Sequence, residues 1–359
     1  MSNSKIRTIA FYLPQFYPTP ENDEWWEPGF TEWTNVTRAK PLYKGHYQPR
    51  LPKDLSFYDL RVPEVREKQA EMARSAGIEG FCYWHYWFAG RRLLDRVFTE
   101  VLESGKPDFP FCLCWANHSW KAKTWRPNMP DTMLIEQTYP GIEDYKAHFY
   151  AMLPAFKDKR YMTVDGKPIF GIFDPPDIPD FKLFSNIWNE LAKENGLEGF
   201  FFFALAQGVE RLKLFDRSLY DSVVFDKVLD ISIEYKKSWI KRKYRNLLFR
   251  FNKPYLLNYD SYINQSLQSF LNDDSLIPCL NPDFDHSPRS SYRGVIFRNS
   301  TPQKWEYLCR KTREILESRV KGNNLLFIKS WNEWGEGNYL EPDQKFGHAY
   351  LEATQRALK

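Results

Sequence analysis

The sequence predicts a single (β/α)8 barrel. Short apolar runs recur eight times along the chain, with helical stretches between most of them. The runs are apolar throughout rather than alternating, as strands buried on both faces of a parallel sheet are. Eight strands interleaved with helices suit one barrel domain over residues 1–359. A doubly wound open sheet is the alternative. It is weakened because no Gly-x-Gly-x-x-Gly follows the first run and no phosphate-binding Gly-x4-Gly-Lys occurs.

The expected strands are residues 6–13, 78–83, 109–115, 168–173, 199–206, 222–225, 276–280 and 325–330. The sixth is the weakest. Helical patterns cover 63–76, 184–195 and 302–320, and the turn Asp165-Gly166 introduces the fourth strand. The first connection, 14–62, is long and rich in Pro and Trp, which reads as an ordered lid or binding loop. No internal repeat or low-complexity tail is seen.

One segment differs. Residues 236–253 carry eight Lys or Arg and no acid, with Trp239, Ile240, Tyr244, Leu247, Leu248 and Phe251 at helical spacing. The first reading is a solvated helix whose apolar stripe packs on the barrel. The second is an amphipathic helix lying on an anionic membrane surface.

Composition narrows the class. Charged residues make up 27% of the chain and the net charge is +4, so the protein is globular and carries no nucleic-acid footprint. The 28 Phe, 21 Tyr and 13 Trp exceed what a core needs, so some should line a ligand site. The N-terminal apolar run 9–13 is too short for a secretory signal, and no run approaches a membrane span. Five cysteines, four of them in strand-like runs, read as reduced core thiols. A cytoplasmic protein is expected.

Reacting groups of such a barrel sit just past the C-terminal ends of its strands. Those positions hold Tyr12 and Gln15, then the run 83–87 with Tyr83, His85 and Trp87, then Trp115 and Asn117. Asp174, Gln207, Asp285, Arg289, Trp331 and Asn332 follow in turn, and Trp33 and Asn35 stand on the long first connection. Amides and carboxylates satisfy sugar hydroxyls in paired hydrogen bonds, and indole faces cover the apolar face of a sugar ring. An oligo- or polysaccharide is therefore the expected partner.

Glu333 and Glu336 are the sharpest feature. Two carboxylates beside one bond are the minimum for glycoside hydrolysis. Burial and mutual repulsion would push their pKa values apart and leave one protonated near neutrality. The alternative is two surface carboxylates on an ordinary loop. No metal or other cofactor is expected, since neither His-Glu-x-x-His nor Cys-x-x-Cys occurs. Asp283-Phe-Asp285 leaves a nucleotide-sugar transferase open as a second function, and a non-catalytic glycan-binding barrel is the third.

These stretches resemble a known family. Residues 10–17 (Ala-Phe-Tyr-Leu-Pro-Gln-Phe-Tyr), 29–36 (Gly-Phe-Thr-Glu-Trp-Thr-Asn-Val), 41–49, 77–87, 113–117 and 330–342 are similar to the WbsX-type proteins of bacterial surface-polysaccharide gene clusters. Their domain is similar to glycoside hydrolase family 99, retaining endo-acting α-mannosidases and α-mannanases. The resemblance implies a (β/α)8 barrel and a role for both glutamates. Glu333 would deprotonate the sugar's own 2-hydroxyl, which displaces the leaving group through a 1,2-anhydro intermediate. Glu336 would protonate the leaving oxygen and then act as base.

Overall fold

The computed structural model describes residues 6–122, 132–228, 230, 238–319 and 324–359. Among these, eight parallel strands close into a barrel: β1 (Arg7–Tyr12), β2 (Gly80–Phe88), β3 (Phe111–Trp115), β4 (Lys167–Ile172), β5 (Phe201–Ala206), β6 (Ser222–Asp226), β7 (Leu276–Leu280) and β8 (Leu325–Ile328). Closure is direct. β1 pairs with β8 from Arg7 opposite Leu325 to Ala10 opposite Ile328. Its other edge pairs with β2 from Ile9 opposite Gly80 to Tyr12 opposite Tyr83.

Helices cover the outside: α1 (Pro63–Ser75), α2 (Arg96–Ser104), α3 (Ile142–Phe156), α4 (Phe181–Glu194), α5 (Trp239–Arg250), α6 (Tyr259–Asn272), α7 (Pro302–Ser318) and α8 (Ala349–Leu358). Local sequence starts several of them. Pro63 opens α1, where its missing N–H costs nothing. Asp180 caps α4 by accepting from the Leu183 amide, and Thr301 caps α7. The alternation is not perfect. Between β5 and β6 stand only the turn Val209–Leu212 and a short 3-10 piece, Arg217–Leu219.

The barrel interior is a packed core. Phe11, Phe203 and Phe327 meet there at ring separations of 5.0 to 5.4 Å. Gly171 makes that possible, because a Cβ at this position would collide with the Phe203 ring and press on Cys114 Sγ. All five cysteines are buried and reduced. No described helix is long and apolar enough to cross a membrane.

The basic segment departs from its first reading. α5 buries none of its residues, and its apolar stripe does not pack on the barrel. Lys236 and Lys237 lie outside the described residues.

Candidate active site

The C-terminal ends of the strands surround a cavity of about 280 Å³. Its inner wall comes from residues at or just past strand ends: Leu13, Trp84, Tyr86, Ala116, Asp226 and Lys329. Loops add His118, Ser119, Trp120, Phe173, Gln207, Phe284, His286, Arg289, Glu333 and Glu336. Trp84 stacks on Phe11 at 4.5 Å and meets Phe173 edge-on at 5.4 Å. The cavity therefore has fixed aromatic walls on one side and charge on the other.

The two glutamates sit on one small hairpin. Asn332–Glu333 pairs antiparallel with Asn338–Tyr339, and the 3-10 turn Trp334–Glu336 joins them. Three residues per turn bring positions three apart onto one side, so Glu333 and Glu336 face the same space. Below them Trp334 stacks on Tyr339 at 3.7 Å, and its indole N–H donates to Glu341 Oε2 at 2.6 Å. Tyr58 and Gln69 also donate to Glu341. Burial pushes Glu341 up to about 7 despite these donors.

Arg289 joins three carboxylates. Its Nη1 donates to Glu336 Oε1 at 2.7 Å and its Nη2 to Glu333 Oε1 at 3.1 Å. Glu32 Oε2 lies 3.0 Å from Nη2 and accepts from Nε at 3.2 Å. Glu32 reaches this point because residue 335 is glycine; a Cβ there would occupy the space of the Glu32 carboxylate. Lys329 Nζ lies 3.9 Å from Glu336 Oε2 and 3.7 Å from Asp226 Oδ2. Among the described residues neither of those two buried oxygens has a hydrogen-bond partner. Three polar groups thus converge on one point at the cavity wall, where a hydroxyl can bridge them.

The charges separate the pair. Burial and repulsion from Glu336 push Glu333 up to about 7, against the pull of Arg289 and Lys329. Burial acts on Glu336 too, but Lys329, Arg289 and His286 outweigh it and hold Glu336 below its ordinary value. Below about pH 7 the one shared proton therefore resides on Glu333 and Glu336 stays ionised. That order is the reverse of the one the resemblance implies for a base at 333 and an acid at 336.

Of the residues read from sequence, Gln207, Arg289, Glu333 and Glu336 line the cavity. Tyr12, Tyr83, His85, Trp87 and Trp115 do not reach it. β2 runs on to Phe88, so residues 84–88 continue the alternation instead of following the strand. Trp84 and Tyr86 face inward, whereas Tyr83, His85 and Trp87 face the helices. His85 Nε2 lies 2.8 Å from His148 Nε2, and burial pushes its pKa down to about 3. Trp87 stacks on His148 and donates to Asp144. Trp115 donates to the Trp87 carbonyl, and Tyr12 to Gln69.

The remaining candidates support the site from behind. Asn332 bonds both ways with the Leu13 backbone, at 2.7 and 3.0 Å. Asn117 does the same with the Asp174 backbone, at 2.8 Å each way. Trp33 packs on Trp334 and donates to the Tyr58 carbonyl. Gln15, Asn35 and Trp331 are buried outside the cavity. Asp174 pairs with Arg211 beside a smaller neighbouring pocket, and burial raises it to about 6. Asp285 accepts from His46 at 2.7 Å, Gln48 at 2.8 Å and the Ser287 amide at 3.0 Å. Arg50 bonds Asp283 at 2.8 Å, so this Asp-x-Asp is turned toward the first connection.

Glu32, Asp226 and Lys329 were not singled out from sequence as site residues, and Trp84 and Tyr86 stood there only inside the run 83–87. Strand parity would have found Trp84 and Tyr86. No local pattern marks Asp226 or Lys329, which are brought together only by barrel closure.

The comparisons with known proteins agree with this architecture. The uncharacterized protein WxcX of Xanthomonas campestris pv. campestris is 36% identical over 355 residues, in strains B100 and ATCC 33913. The alignment covers 98% of this chain and 49% of those proteins, so the chain spans about half the length of the curated relatives it matches. A glycoside hydrolase-like protein superposes with a TM-score of 0.62 at 13% identity, over 100% of this chain and 96% of its own. The family 99 endo-α-mannosidase of Bacteroides thetaiotaomicron superposes at 0.57 with 15% identity, over 98% and 96%. At these identities the likeness is one of fold. Residues 8–354 match the family described as glycosyltransferase WbsX, and the chain belongs to that family.

Proposed function

We propose that the chain is an endo-type glycoside hydrolase or transglycosylase that retains anomeric configuration. Its substrate is a bacterial surface polysaccharide of O-antigen or capsule type, or the lipid-linked precursor, met at the cytoplasmic face of the membrane. The observation that carries this reading is the pair Glu333 and Glu336, held on one guanidinium inside an aromatic cavity and sharing one proton near neutrality. Acid and base are then both available at one bond.

In the proposed chemistry the 2-hydroxyl gives its proton to one glutamate and its oxygen bonds to the anomeric carbon. The leaving oxygen takes a proton from the other glutamate as the glycosidic bond breaks. An incoming water or sugar hydroxyl then attacks the anomeric carbon and loses its proton to that second glutamate. The anhydro bond opens and the 2-oxygen recovers its proton. Two inversions give retention. The point between Lys329 Nζ, Asp226 Oδ2 and Glu336 Oε2 suits the incoming hydroxyl, because it lies within reach of Glu336.

The transferase reading asks for Asp283 and Asp285 to hold a metal and a nucleotide sugar. Both are engaged by Arg50, and Asp285 also by His46 and Gln48. The test is turnover of surface polysaccharides and lipid-linked repeats by wild type, Glu333→Gln and Glu336→Gln, without nucleotide sugar. Cleavage or transfer lost in both variants, with glycan binding kept, supports the proposal. Turnover that begins only when nucleotide sugar and a divalent cation are added overturns it in favour of the transferase. Binding without turnover under either condition leaves a glycan-binding barrel.

A further inference from the structure

We propose that α5 is a membrane-docking helix that seats the cavity end of the barrel on an anionic phospholipid bilayer. The proposal adds a partner to the function above, and its test does not read turnover.

The geometry comes first. On a helix of 3.6 residues per turn, Ile240, Tyr244, Leu247 and Phe251 fall within a sector of about 60°, with Trp239 about 80° beyond it. These five side chains are 51% to 65% exposed. The far side of the helix carries the half-buried Arg245 and Phe249, with half-buried Leu248 on the flank between them and Tyr244; Phe249 meets Tyr292 at 5.9 Å, and Tyr244 meets Tyr255 edge-on at 6.3 Å. The helix thus rests on the body by one side and turns its apolar sector outward. A surface helix of a globular protein does the reverse.

Charge identifies the occupant. Lys243 and Arg250 border the apolar sector on one side, and Lys241 stands beyond its other edge. The helix contains no acid. An apolar sector flanked by cations, with aromatic residues in it, matches the interface of lipid headgroups and acyl chains. A second copy of this chain would bring two strongly cationic helices together, which repel. A nucleic-acid backbone would meet the cations but offer nothing to the apolar sector between them.

Position gives the docking a use. α5 lies in the connection after β6, whose end supplies Asp226 to the cavity. It packs on Tyr292 in the connection after β7, which supplies His286 and Arg289. The docking surface and the cavity mouth therefore share one end of the barrel, as a glycan held on a membrane lipid requires.

The experiment is co-sedimentation of the full chain with vesicles of phosphatidylglycerol and phosphatidylethanolamine, and with neutral phosphatidylcholine vesicles as control. Two variants are compared: Ile240→Gln/Leu247→Gln/Phe251→Gln and Lys241→Gln/Lys243→Gln. All five positions are exposed, and a thermal melt checks that each variant folds. Wild type is expected to sediment with the anionic vesicles at low salt and to be released at high salt. Each cation removed is expected to weaken partitioning about fivefold, so the second variant falls roughly twentyfold. The apolar variant is expected to fall at least tenfold. No sedimentation at low salt, equal salt-insensitive binding to neutral vesicles, or variants that bind like wild type would each overturn the proposal. So would a wild-type dimer that the apolar variant makes monomeric while neither binds vesicles; the helix would then be a contact between copies.

Discussion

At the scale of single residues, the site depends on how one guanidinium is shared. Arg289 and Lys329 lower both catalytic candidates, but Lys329 acts most on Glu336, which also faces His286, so the proton falls to Glu333. The singly protonated pair exists between the two titrations. A glycan-cleaving reaction is therefore expected to give a bell-shaped kcat/KM profile, with a basic limb near pH 7 and an acid limb below the ordinary glutamate value of about 4.3. A pH–rate series on wild type checks this; a flat profile from pH 5 to 9, about four decades of proton concentration, would exclude the pair as the acid and base. Glu333→Gln and Glu336→Gln are each expected to lower kcat by about 100- to 10,000-fold. A donor with an activated leaving group separates their roles, since it needs no protonation on departure. Whichever variant such a donor restores has lost the acid. The order set by the surrounding charges predicts recovery of Glu333→Gln, and the order implied by the resemblance predicts recovery of Glu336→Gln.

Elements impose parity. In β2 one step along the strand moves a side chain from the cavity to the helix layer. Trp84→Ala is accordingly expected to raise KM for glycan at least tenfold. His85→Ala is expected to leave KM unchanged and to lower the melting temperature, because it breaks a buried contact with His148. Steady-state kinetics and thermal melts on the two variants check the pattern, and the reverse pattern would refute the assignment of faces. A second element-level device is Asp285, which fastens the first connection to the loop after β7 through His46, Gln48 and Arg50. Burial would raise its carboxyl, but His46 and Arg50 hold it well below the usual range. Its contribution to stability is therefore complete above pH of about 4 and is lost as pH falls through the lower folded value. Asp285→Asn is expected to cost about 3–5 kcal/mol at neutral pH. Chemical denaturation should show that cost shrinking in acid.

The whole molecule is a closed ring, and closure depends on β1, which pairs with β8 on one edge and β2 on the other. Deletion of residues 1–13 is expected to abolish cooperative thermal unfolding, followed by circular dichroism, because it opens two unpaired edges. The first connection is part of the same unit. Glu32 reaches Arg289, Arg50 reaches Asp283 and the Gly337 carbonyl, and Tyr58 reaches Glu341. All four contacts span more than 200 residues of sequence.

The fold and the ExxE pair were legible in the sequence because each rests on a local pattern. Eight apolar runs mark eight strands, since a strand buried on both faces must be apolar along its length. Two glutamates three apart on a glycine-bearing turn meet wherever that turn is placed. The cationic helix was also legible as amphipathic, but amphipathicity says only that one face differs from the other. Which face met the barrel was decided by tertiary packing, which turned the apolar sector outward. The same holds for the rest of the site. The apolar pattern ends strand 2 at residue 83, whereas the strand runs to Phe88, and without that extension nothing separates the inward Trp84 and Tyr86 from their outward neighbours. Glu32, Asp226, Lys329 and Arg289 come from four distant segments, and no spacing relates them. Barrel closure brings them within a few ångströms, and only at that distance do Lys329 and the shared arginine hold Glu336 ionised and leave the proton to Glu333.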